Sequence, residues 1–225
     1  KCEVKEINRE DYEIIRGGFM QKLPRSFYEQ DAISVARDLL GKYLVHNIEG
    51  EEIAGKIVET EAYMGPEDKA AHSYNYRRTQ RTEVMYGPAG HAYVFRIYGM
   101  YNCMNVVTAE IDKPQAVLIR ALEPVFGLDK ISVNRYTRKY DELRKSQIIN
   151  LTNGPGKLCI ALGINMSNYG DDLCGDRLYI TEGSNKNSFD IISSKRINID
   201  YAEEAVDYPW RFYIKANPFV SKPHI

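Results

Sequence analysis

The sequence predicts an α+β fold: a single domain with a curved, largely antiparallel β-sheet, open-barrel-like in form, packed by α-helices and carrying a protruding β-hairpin. Predicted strands outnumber predicted helices, and short turns link most of them, which favours antiparallel pairing. The chain has 225 residues, of which 44% are hydrophobic, so it can bury one complete core. We therefore expect one folded unit.

The first predicted elements are a helix and a hairpin. Asp31 is a favourable N-cap for a helix whose apolar residues follow the 3.6-residue period, and Gly41 follows at the expected C′ position. Residues 43–45 then read as a strand, and residues 53–63 return as a second strand after a turn near Glu49.

A second hairpin follows in the middle of the chain. Residues 92–98 and 102–108 are two β-like runs joined by only three residues, a loop length that is typical of antiparallel hairpins. We expect Tyr98 and Tyr101 at the tip of this hairpin.

The next apolar run, residues 116–122, is interrupted by the single charge of Arg120 and is closed by Pro124. An arginine in such a strand needs a buried partner or a polar cavity. The remaining predicted elements are a helical region over residues 128–145, a short helix between Pro155 and Gly163, and strands over residues 178–181, 189–193 and 211–215.

Several functional classes are not favoured by the composition. No run of about 18 apolar residues is long enough to span a membrane, and the first residues lack the apolar core of a signal peptide. We therefore expect a soluble, intracellular protein. The four cysteines and four histidines show no metal-ligand spacing and no C-x-x-C pair, so we expect no metal and no cofactor.

The second strand carries charge where a strand is usually apolar. Glu59, Glu61 and Tyr63 share one face, since alternate side chains of a strand point the same way. The two carboxylates are roughly 7 Å apart and repel by about 2 kcal/mol at an effective dielectric of about 20. Arg120 is a candidate counter-ion that would keep a catalytic carboxylate ionised. A purely structural Glu-Arg pair explains the same pattern, and the residues alone leave both readings open.

Aromatic residues and arginines lie close together between residues 77 and 101, a segment that includes the first strand and the turn of the second predicted hairpin. Aromatic rings interleaved with arginines suit stacking on bases beside a phosphate backbone, although aromatics also simply favour strands. A helix that opens with N-G-P-G-K could hold a phosphate through Lys157, although Gly-Pro is also common before helices. The aromatic residues are Tyr86, Tyr93, Phe95, Tyr98 and Tyr101, and the arginines beside them are Arg77, Arg78, Arg81 and Arg96.

Four segments together resemble the alkyladenine, or 3-methyladenine, DNA glycosylase family in order and spacing. They are V-E-T-E-A-Y-M-G-P-E-D-K-A-A-H-S, I-Y-G-M-Y-N-C-M-N, V-L-I-R-A-L-E-P and N-G-P-G-K-L-C-I-A-L-G-I-N. The likeness runs from about residue 27 to residue 221. It implies a glycosylase domain over residues 24–225, and residues 1–23 are expected to be an N-terminal extension outside it.

The resemblance implies a monofunctional DNA glycosylase of base excision repair, without AP-lyase activity. Such an enzyme flips alkylated or deaminated purines, of the 3-methyladenine, 7-methylguanine and hypoxanthine class, out of duplex DNA and hydrolyses the N-glycosidic bond. The expected partner is double-stranded DNA containing damaged purines, and the protein is expected to act as a monomer. The expected location is the cytoplasm and nucleoid in a bacterium, or the nucleus in a eukaryote.

Individual roles follow from the positions that match the family's motifs. Glu61 matches the general base that activates water, and Arg120 matches an active-site arginine near that water. Asn105 matches a side chain that guards the pocket against the extra amino group of guanine, and Tyr98 matches the wedge that fills the gap in the DNA. The expected contacts with the flipped base come from Tyr63, His72 and Phe95, and phosphate contacts are expected from Arg77, Arg78, Arg81 and Lys157.

One base-contacting position departs from the family pattern. Phe95 occupies a site where a tyrosine is often found, so stacking is retained and a hydroxyl contact is lost. Two other functions compete with this interpretation: a carbohydrate glycosidase, which also needs a carboxylate pair, and a non-catalytic protein that binds damaged DNA. The glycosylase interpretation depends on Glu61 being ionised beside a ring-lined cleft that holds one purine.

Overall fold

Eight β-strands form the framework in the computed structural model, which describes residues 21–183 and 188–222. All the assigned strand pairs are antiparallel, in the order β3-β4-β5-β2-β1-β6, and β8 joins β2 and β7 beside this path. The strands are β1 (Tyr43–Ile48), β2 (Glu51–Tyr63), β3 (Ala92–Ile97), β4 (Tyr101–Thr108), β5 (Gln115–Phe126), β6 (Leu178–Thr181), β7 (Ile191–Ser194) and β8 (Arg211–Ile214).

Among the described residues, five α-helices pack against the sheet or follow its strands. The helices are α1 (Arg25–Tyr28), α2 (Ala32–Asp38), α3 (Leu128–Tyr136), α4 (Lys145–Ile149) and α5 (Pro155–Ala161), with short 3₁₀ turns at Tyr74–Tyr76, Glu83–Tyr86, Tyr140–Glu142, Met166–Asn168 and Glu203–Asp207. The α+β class, the single domain and the open antiparallel sheet are confirmed. The helix α1 was not predicted from the sequence.

The strand β2 is the centre of the sheet and carries the charged residues. Its first half pairs with β1 and β5, and its second half pairs with β5 and β8. The pairing of β2 with β5 contains bulges, because Val58 on β2 and Arg120 on β5 each lack an opposite residue. A bulge changes the direction of a side chain. The bulge at Arg120 directs its side chain toward the carboxylates of β2.

The main core lies between the sheet and the helices α2 and α5. Asp31 caps α2 as predicted, since its carboxylate accepts hydrogen bonds from the backbone of Ile33 and Ser34 at 3.0 and 3.1 Å. The buried helix residues that pack on the sheet are Ala32, Val35 and Ala36 of α2 and Leu158, Cys159 and Ala161 of α5. Both helices are thus held by an apolar stripe.

Two predicted boundaries were wrong. Pro124 does not close its strand, because β5 continues to Phe126 and Pro124 lies opposite Gly55 beside a register shift, where a missing N–H is tolerated. The helical region over residues 128–145 is interrupted, since α3 ends at Tyr136 and Thr137 adopts a left-handed conformation with φ of 57°.

The other predicted elements are present with small shifts at their ends. The short helix after Pro155 and the strand over residues 178–181 match the structure. Strands predicted over residues 189–193 and 211–215 are observed as β7 and β8.

The start of the chain falls partly outside the described residues. Of the predicted extension over residues 1–23, residues 1–20 are not described, whereas Leu23 is 1% exposed and its N–H donates to the carbonyl of Ile180. Within residues 21–183 and 188–222, no helix is long and apolar enough to cross a membrane. The same residues contain no cluster of three or more His, Cys, Asp or Glu that could hold a metal ion.

Candidate active site

A cavity of about 190 Å³ opens beside the second half of β2. Its wall combines aromatic rings with a few polar groups, which is the usual character of a ligand pocket. Six of the residues selected from the sequence line it, namely Tyr63, His72, Phe95, Tyr98, Asn105 and Arg120. The far wall comes from the segment Ile197, Asn198 and Ile199, which sequence reasoning did not select.

Glu61 lies one side chain behind this wall. The sequence predicts a carboxylate that faces the cleft, but Glu61 is fully buried, and the cavity is lined instead by its neighbours Arg120 and Tyr63. Arg120 Nη1 lies 3.2 Å from Glu61 Oε2, and the Tyr63 hydroxyl donates to the same oxygen at 2.9 Å. The N–H of Ile197 donates to Oε1 at 2.7 Å. The carboxylate is therefore held by three donors in a polar cluster.

Glu59 has a different set of partners. Arg120 Nε and Arg211 Nη1 lie 3.1 and 3.0 Å from its Oε1, while the backbone and hydroxyl of Ser221 donate at 2.7 and 2.9 Å. Glu59 is thus fully saturated and has a structural role. Sequence reasoning missed Arg211, although a charge in the apolar strand R-F-Y-I is the same signal that drew attention to Arg120.

The two glutamates share Arg120, and Arg211 supplies the second positive charge. Four charges of balanced sign are therefore buried together, which is less costly than an unpaired one. Burial opposes the charge on Arg120, but Glu61 and Glu59 outweigh it and raise the pKa of the guanidinium above its ordinary value.

Tyr63 remains protonated in this environment. Burial, and then the charge of Glu61, raise the pKa of its hydroxyl well above the ordinary value. The hydroxyl therefore stays a hydrogen-bond donor to Glu61 while the ring lines the cavity. One residue thus contacts both the carboxylate and the space beside it.

His72 is held as a neutral imidazole. Burial, and then the charges of Arg81 and Arg77, lower its pKa to about 4. Arg81 Nη2 lies 3.4 Å from His72 Nε2, and because an arginine can only donate, Nε2 is the acceptor. The proton of the neutral ring is then on Nδ1, which donates to the Tyr93 hydroxyl at 2.8 Å.

Two other predicted base contacts lie on neighbouring strands. Phe95 packs edge-on against His72 with ring centroids 4.6 Å apart, and the guanidinium of Arg81 lies 4.7 Å from the Phe95 ring. Asn105 is buried and donates Nδ2 to the carbonyl of Tyr93 at 3.0 Å. The hydrogen bond fixes the amide of Asn105 in the cavity wall.

The hairpin of β3 and β4 ends in an exposed tip. Tyr98 is 80% exposed with a φ of 50°, and Met100 is 68% exposed. Tyr101 lies beside this tip as the first residue of β4, where it pairs with Ile97 and is 40% exposed, and its ring lies against Gly156. A Cβ at Gly156 would approach Tyr101 Cβ to 3.2 Å, so glycine permits this contact.

Comparison with known proteins shows the family of the chain. The sequence signature of the methylpurine-DNA glycosylase family matches residues 26–218. The chain belongs to this family. A relative from Desulfitobacterium hafniense is 58% identical over 202 residues, covering 90% of this chain and 99% of the relative. Relatives from Alkaliphilus oremlandii and Clostridium novyi are 55% and 56% identical, covering 89% and 90% of this chain. All three are provisionally named 3-methyladenine DNA glycosylase.

The resemblance identified from the sequence is therefore confirmed. Because the chain belongs to this family, it is a DNA glycosylase, a hydrolase of base excision repair that acts on DNA.

The basic residues selected for phosphate contacts differ in whether they already have partners within the fold. Lys157 already donates to the amide oxygens of Asn150 and Asn153 at 2.9 and 2.7 Å.

The three arginines of the loop after β2 also differ in whether they already have partners. Arg78 forms ion pairs with Glu83 at 2.6 Å and Asp112 at 3.4 Å. Arg81 contacts His72 and Phe95 at the cavity edge. Arg77 is exposed and forms no ion pair with the described residues. It is thus the most available of these cations for a phosphate.

Proposed function

We propose that the protein is a monofunctional DNA glycosylase that flips alkylated or deaminated purines out of duplex DNA and hydrolyses the N-glycosidic bond with water activated by Glu61. The purines are of the 3-methyladenine, 7-methylguanine and hypoxanthine class. The observation that carries the proposal is the position of Glu61, which is held by Arg120 and Tyr63, two residues that line an aromatic cavity.

The cavity supplies the binding energy that base flipping requires. Extruding a nucleotide costs a few kcal/mol, and stacking on an aromatic side chain returns about 1 to 3 kcal/mol per base. Tyr63, His72 and Phe95 line the same space and provide such faces. Damaged bases unpair more readily, which adds selectivity. In this proposal Tyr98 enters the gap that the nucleotide leaves, and Asn105 disfavours undamaged guanine through its extra amino group.

The chemical step needs one water and one base. The water oxygen attacks C1′ of the sugar, its proton passes to Glu61, and the bond electrons leave with the purine. Glu61 has no exposed surface, so the step requires a water that reaches the carboxylate between Tyr63 and Arg120 when a purine is seated. An alkylated purine is already cationic and leaves without an acid. His72 is neutral and its Nδ1 proton is directed to Tyr93, so it is no ready acid for neutral purines.

One feature favours base release without strand cleavage, and a second argues against a carbohydrate glycosidase. A lyase needs an amine nucleophile, and no lysine is among the described residues that line the cavity. A carbohydrate glycosidase needs two carboxyl groups on either side of a sugar bond, whereas Glu59 and Glu61 share the guanidinium of Arg120. In our proposal the protein acts as a monomer.

Glu61→Gln tests the proposal. The unmutated protein should release free base from duplexes that contain 7-methylguanine or hypoxanthine, and the variant should lose at least about 100-fold in single-turnover rate, since it removes the general base. Binding of the damaged duplex should be retained. Glu67→Gln makes the same change at an exposed carboxylate and should leave the rate unaltered.

The outcomes separate the competing functions. Release by the Glu61→Gln variant at the original rate would exclude Glu61 as the base. Binding without release by the unmutated protein would favour a non-catalytic damage sensor. A covalent protein-DNA adduct after borohydride treatment would contradict base release without strand cleavage, because it requires an amine nucleophile.

A further inference from the structure

A fully buried ion pair lies behind Tyr63, and the proposed chemistry does not use it. Asp68 and Arg196 have no exposed side-chain surface, and their two contacts, Nη1 to Oδ2 and Nη2 to Oδ1, are 2.5 and 2.8 Å long. A buried pair of this kind is often no more stabilising than apolar residues would be, which points to a role other than stability.

Arg196 is stacked between two aromatic rings. Its guanidinium lies 4.8 Å from the ring of Tyr63 and 5.0 Å from the ring of Trp210. Arg196 does not line the cavity, so it covers the face of Tyr63 that is turned away from the space for the base. The plane of the Tyr63 ring is therefore set from behind by a rigid, planar cation.

The same ion pair is tied to the backbone around Glu61. Arg196 Nη1 donates to the carbonyl of Ala62, the residue between Glu61 and Tyr63, at 2.9 Å. The next residue, Ile197, donates its N–H to Glu61 Oε1 at 2.7 Å. Moving Arg196 would thus displace both the strand that carries Glu61 and a donor that holds its carboxylate.

Asp68 extends this connection to a third part of the wall. Its carboxylate accepts hydrogen bonds from the backbone of Met64 at 3.1 Å and of Ala70 at 3.0 Å. Ala70 lines the cavity, and His72 follows it two residues later. The ion pair therefore joins the end of β2, the loop toward His72 and the segment that begins at Ile197.

We propose that Asp68 and Arg196 are positioning residues that set the plane of Tyr63 against the flipped base and the location of Glu61 relative to the sugar. This inference rests on the proposed function. A displacement of about 1 Å at a reacting group can lower a rate by about 100-fold. The pair has no exposed side-chain surface and does not line the cavity, so we expect its effect to fall on the chemical step and not on binding of the DNA backbone.

Arg196→Lys and Asp68→Asn test the inference, with Lys195→Met as the matched control. Lysine keeps the charge but not the two-pronged contact, and asparagine keeps the shape but not the charge. Lys195 is adjacent in sequence, and its pair with Asp207 is exposed, with side chains 61% and 73% accessible. The rate is single-turnover release of hypoxanthine, and the affinity is for a duplex with a tetrahydrofuran abasic analogue.

We expect both variants to release base at least about tenfold more slowly, while their affinity for the abasic duplex stays unchanged. Lys195→Met should match the original protein in both measurements. Trp210 is the single tryptophan of the chain, so its emission reports directly on the stacked arrangement. Arg196→Lys should shift this emission.

A rate within twofold of the original in both variants would overturn the inference, as would an equal loss of rate and abasic-DNA affinity. Should the charge variants fail to fold, Trp210→Phe and Trp210→Leu replace them, since both keep the ion pair. Phenylalanine should preserve release, and leucine should lower it about fivefold by removing one stacked layer; equal rates would overturn the inference. No release by the unmutated protein would reject the proposed function itself, and the emission of Trp210 would still test the stacking.

Discussion

At the scale of single residues, the site depends on how four buried charges divide their contacts. Glu59 is saturated by Arg211, Arg120 and Ser221, whereas Glu61 lies against the two residues that reach the cavity. Two carboxylates that are neighbours on one strand thus have different hydrogen-bonding partners. The same reasoning applies to His72, where burial and two arginines select the neutral form.

His72 makes the stability of the protein depend on pH. Its pKa is about 4 in the folded state and about 6.5 when unfolded, so between these values the unfolded chain binds more protons. The contribution of His72 to stability is therefore fully present above about pH 6.5 and is lost as the pH drops, by about 3 kcal/mol in total. Urea unfolding at about pH 7.5 and about pH 4.5 measures the loss, which His72→Gln should reduce by about 2 kcal/mol.

The matched substitution His91→Gln controls for the removal of an imidazole outside the cavity. The same two measurements on this variant show how much of the loss comes from removing an imidazole elsewhere in the fold. A loss in the His72→Gln variant as large as in the original protein would show that the histidine does not resist protonation in the fold.

At the scale of secondary-structure elements, the central strand β2 and the hairpin of β3 and β4 differ in how firmly they are held. The strand β2 is held on both sides by β5 and β8, so its side chains are rigidly placed. The hairpin tip has few contacts, and Tyr98 protrudes from it. Rigid elements suit positioning of reacting groups, and an exposed tip suits contact with DNA.

Tyr98→Ala should separate DNA distortion from folding. Tyr98 is 80% exposed, so its removal should change the free energy of unfolding by less than about 0.5 kcal/mol. Base release should fall at least about tenfold, since the stacked wedge is lost. Tyr76→Ala is the control, because Tyr76 is 69% exposed and has a similar φ of 55° but lies away from the cavity. Equal release rates in both variants would contradict the wedge.

The turn between β5 and α3 requires glycine for two reasons. Gly127 has a φ of 69°, and a Cβ there would lie 2.4 Å from Ile53 Cγ2. Gly99 has a nearly equal φ of 70° with nothing within 4 Å of its Cβ position. Gly99→Ala should therefore cost about 1 kcal/mol and Gly127→Ala about 3 kcal/mol of unfolding free energy, measured in urea. Similar costs for both substitutions would mean that Gly127 and Ile53 can move apart without a loss of stability.

At the scale of the whole molecule, a protein with a net charge of −1 can still bind DNA if its free cations are concentrated on one face. Several basic side chains already have partners within the fold: Arg78 pairs with the carboxylate of Glu83, and Lys157 donates to the amide oxygen of Asn150. Arg77 and Arg81 lie in a groove that adjoins the cavity and shares His72 and Tyr201 with it. The charge near a bound phosphate thus depends on these nearby arginines and not on the net charge of the protein.

The salt dependence of DNA binding should reveal which cations act. Neutralising roughly five phosphates gives a log-log slope of about −4.5. Arg77→Ala should reduce the magnitude of this slope by about 0.9, and Arg78→Ala by less than half of that, because Glu83 and Asp112 already compensate its charge. Equal changes in the two variants would show that the ion pairs of Arg78 open when DNA binds.

The sequence by itself determined the fold class, most of the strands and the family. Short turns, alternating apolar residues and charges inside apolar strands are local signals, and they singled out Glu61 and Arg120, whereas the resemblance to a family added His72 and Asn105, which line the cavity. Only the tertiary structure decided that Glu61 is enclosed, that Glu59 binds Arg211 and Ser221, and that Arg196 backs Tyr63. These contacts join residues more than a hundred positions apart through bulges and sheet pairing, and no local pattern encodes such a register.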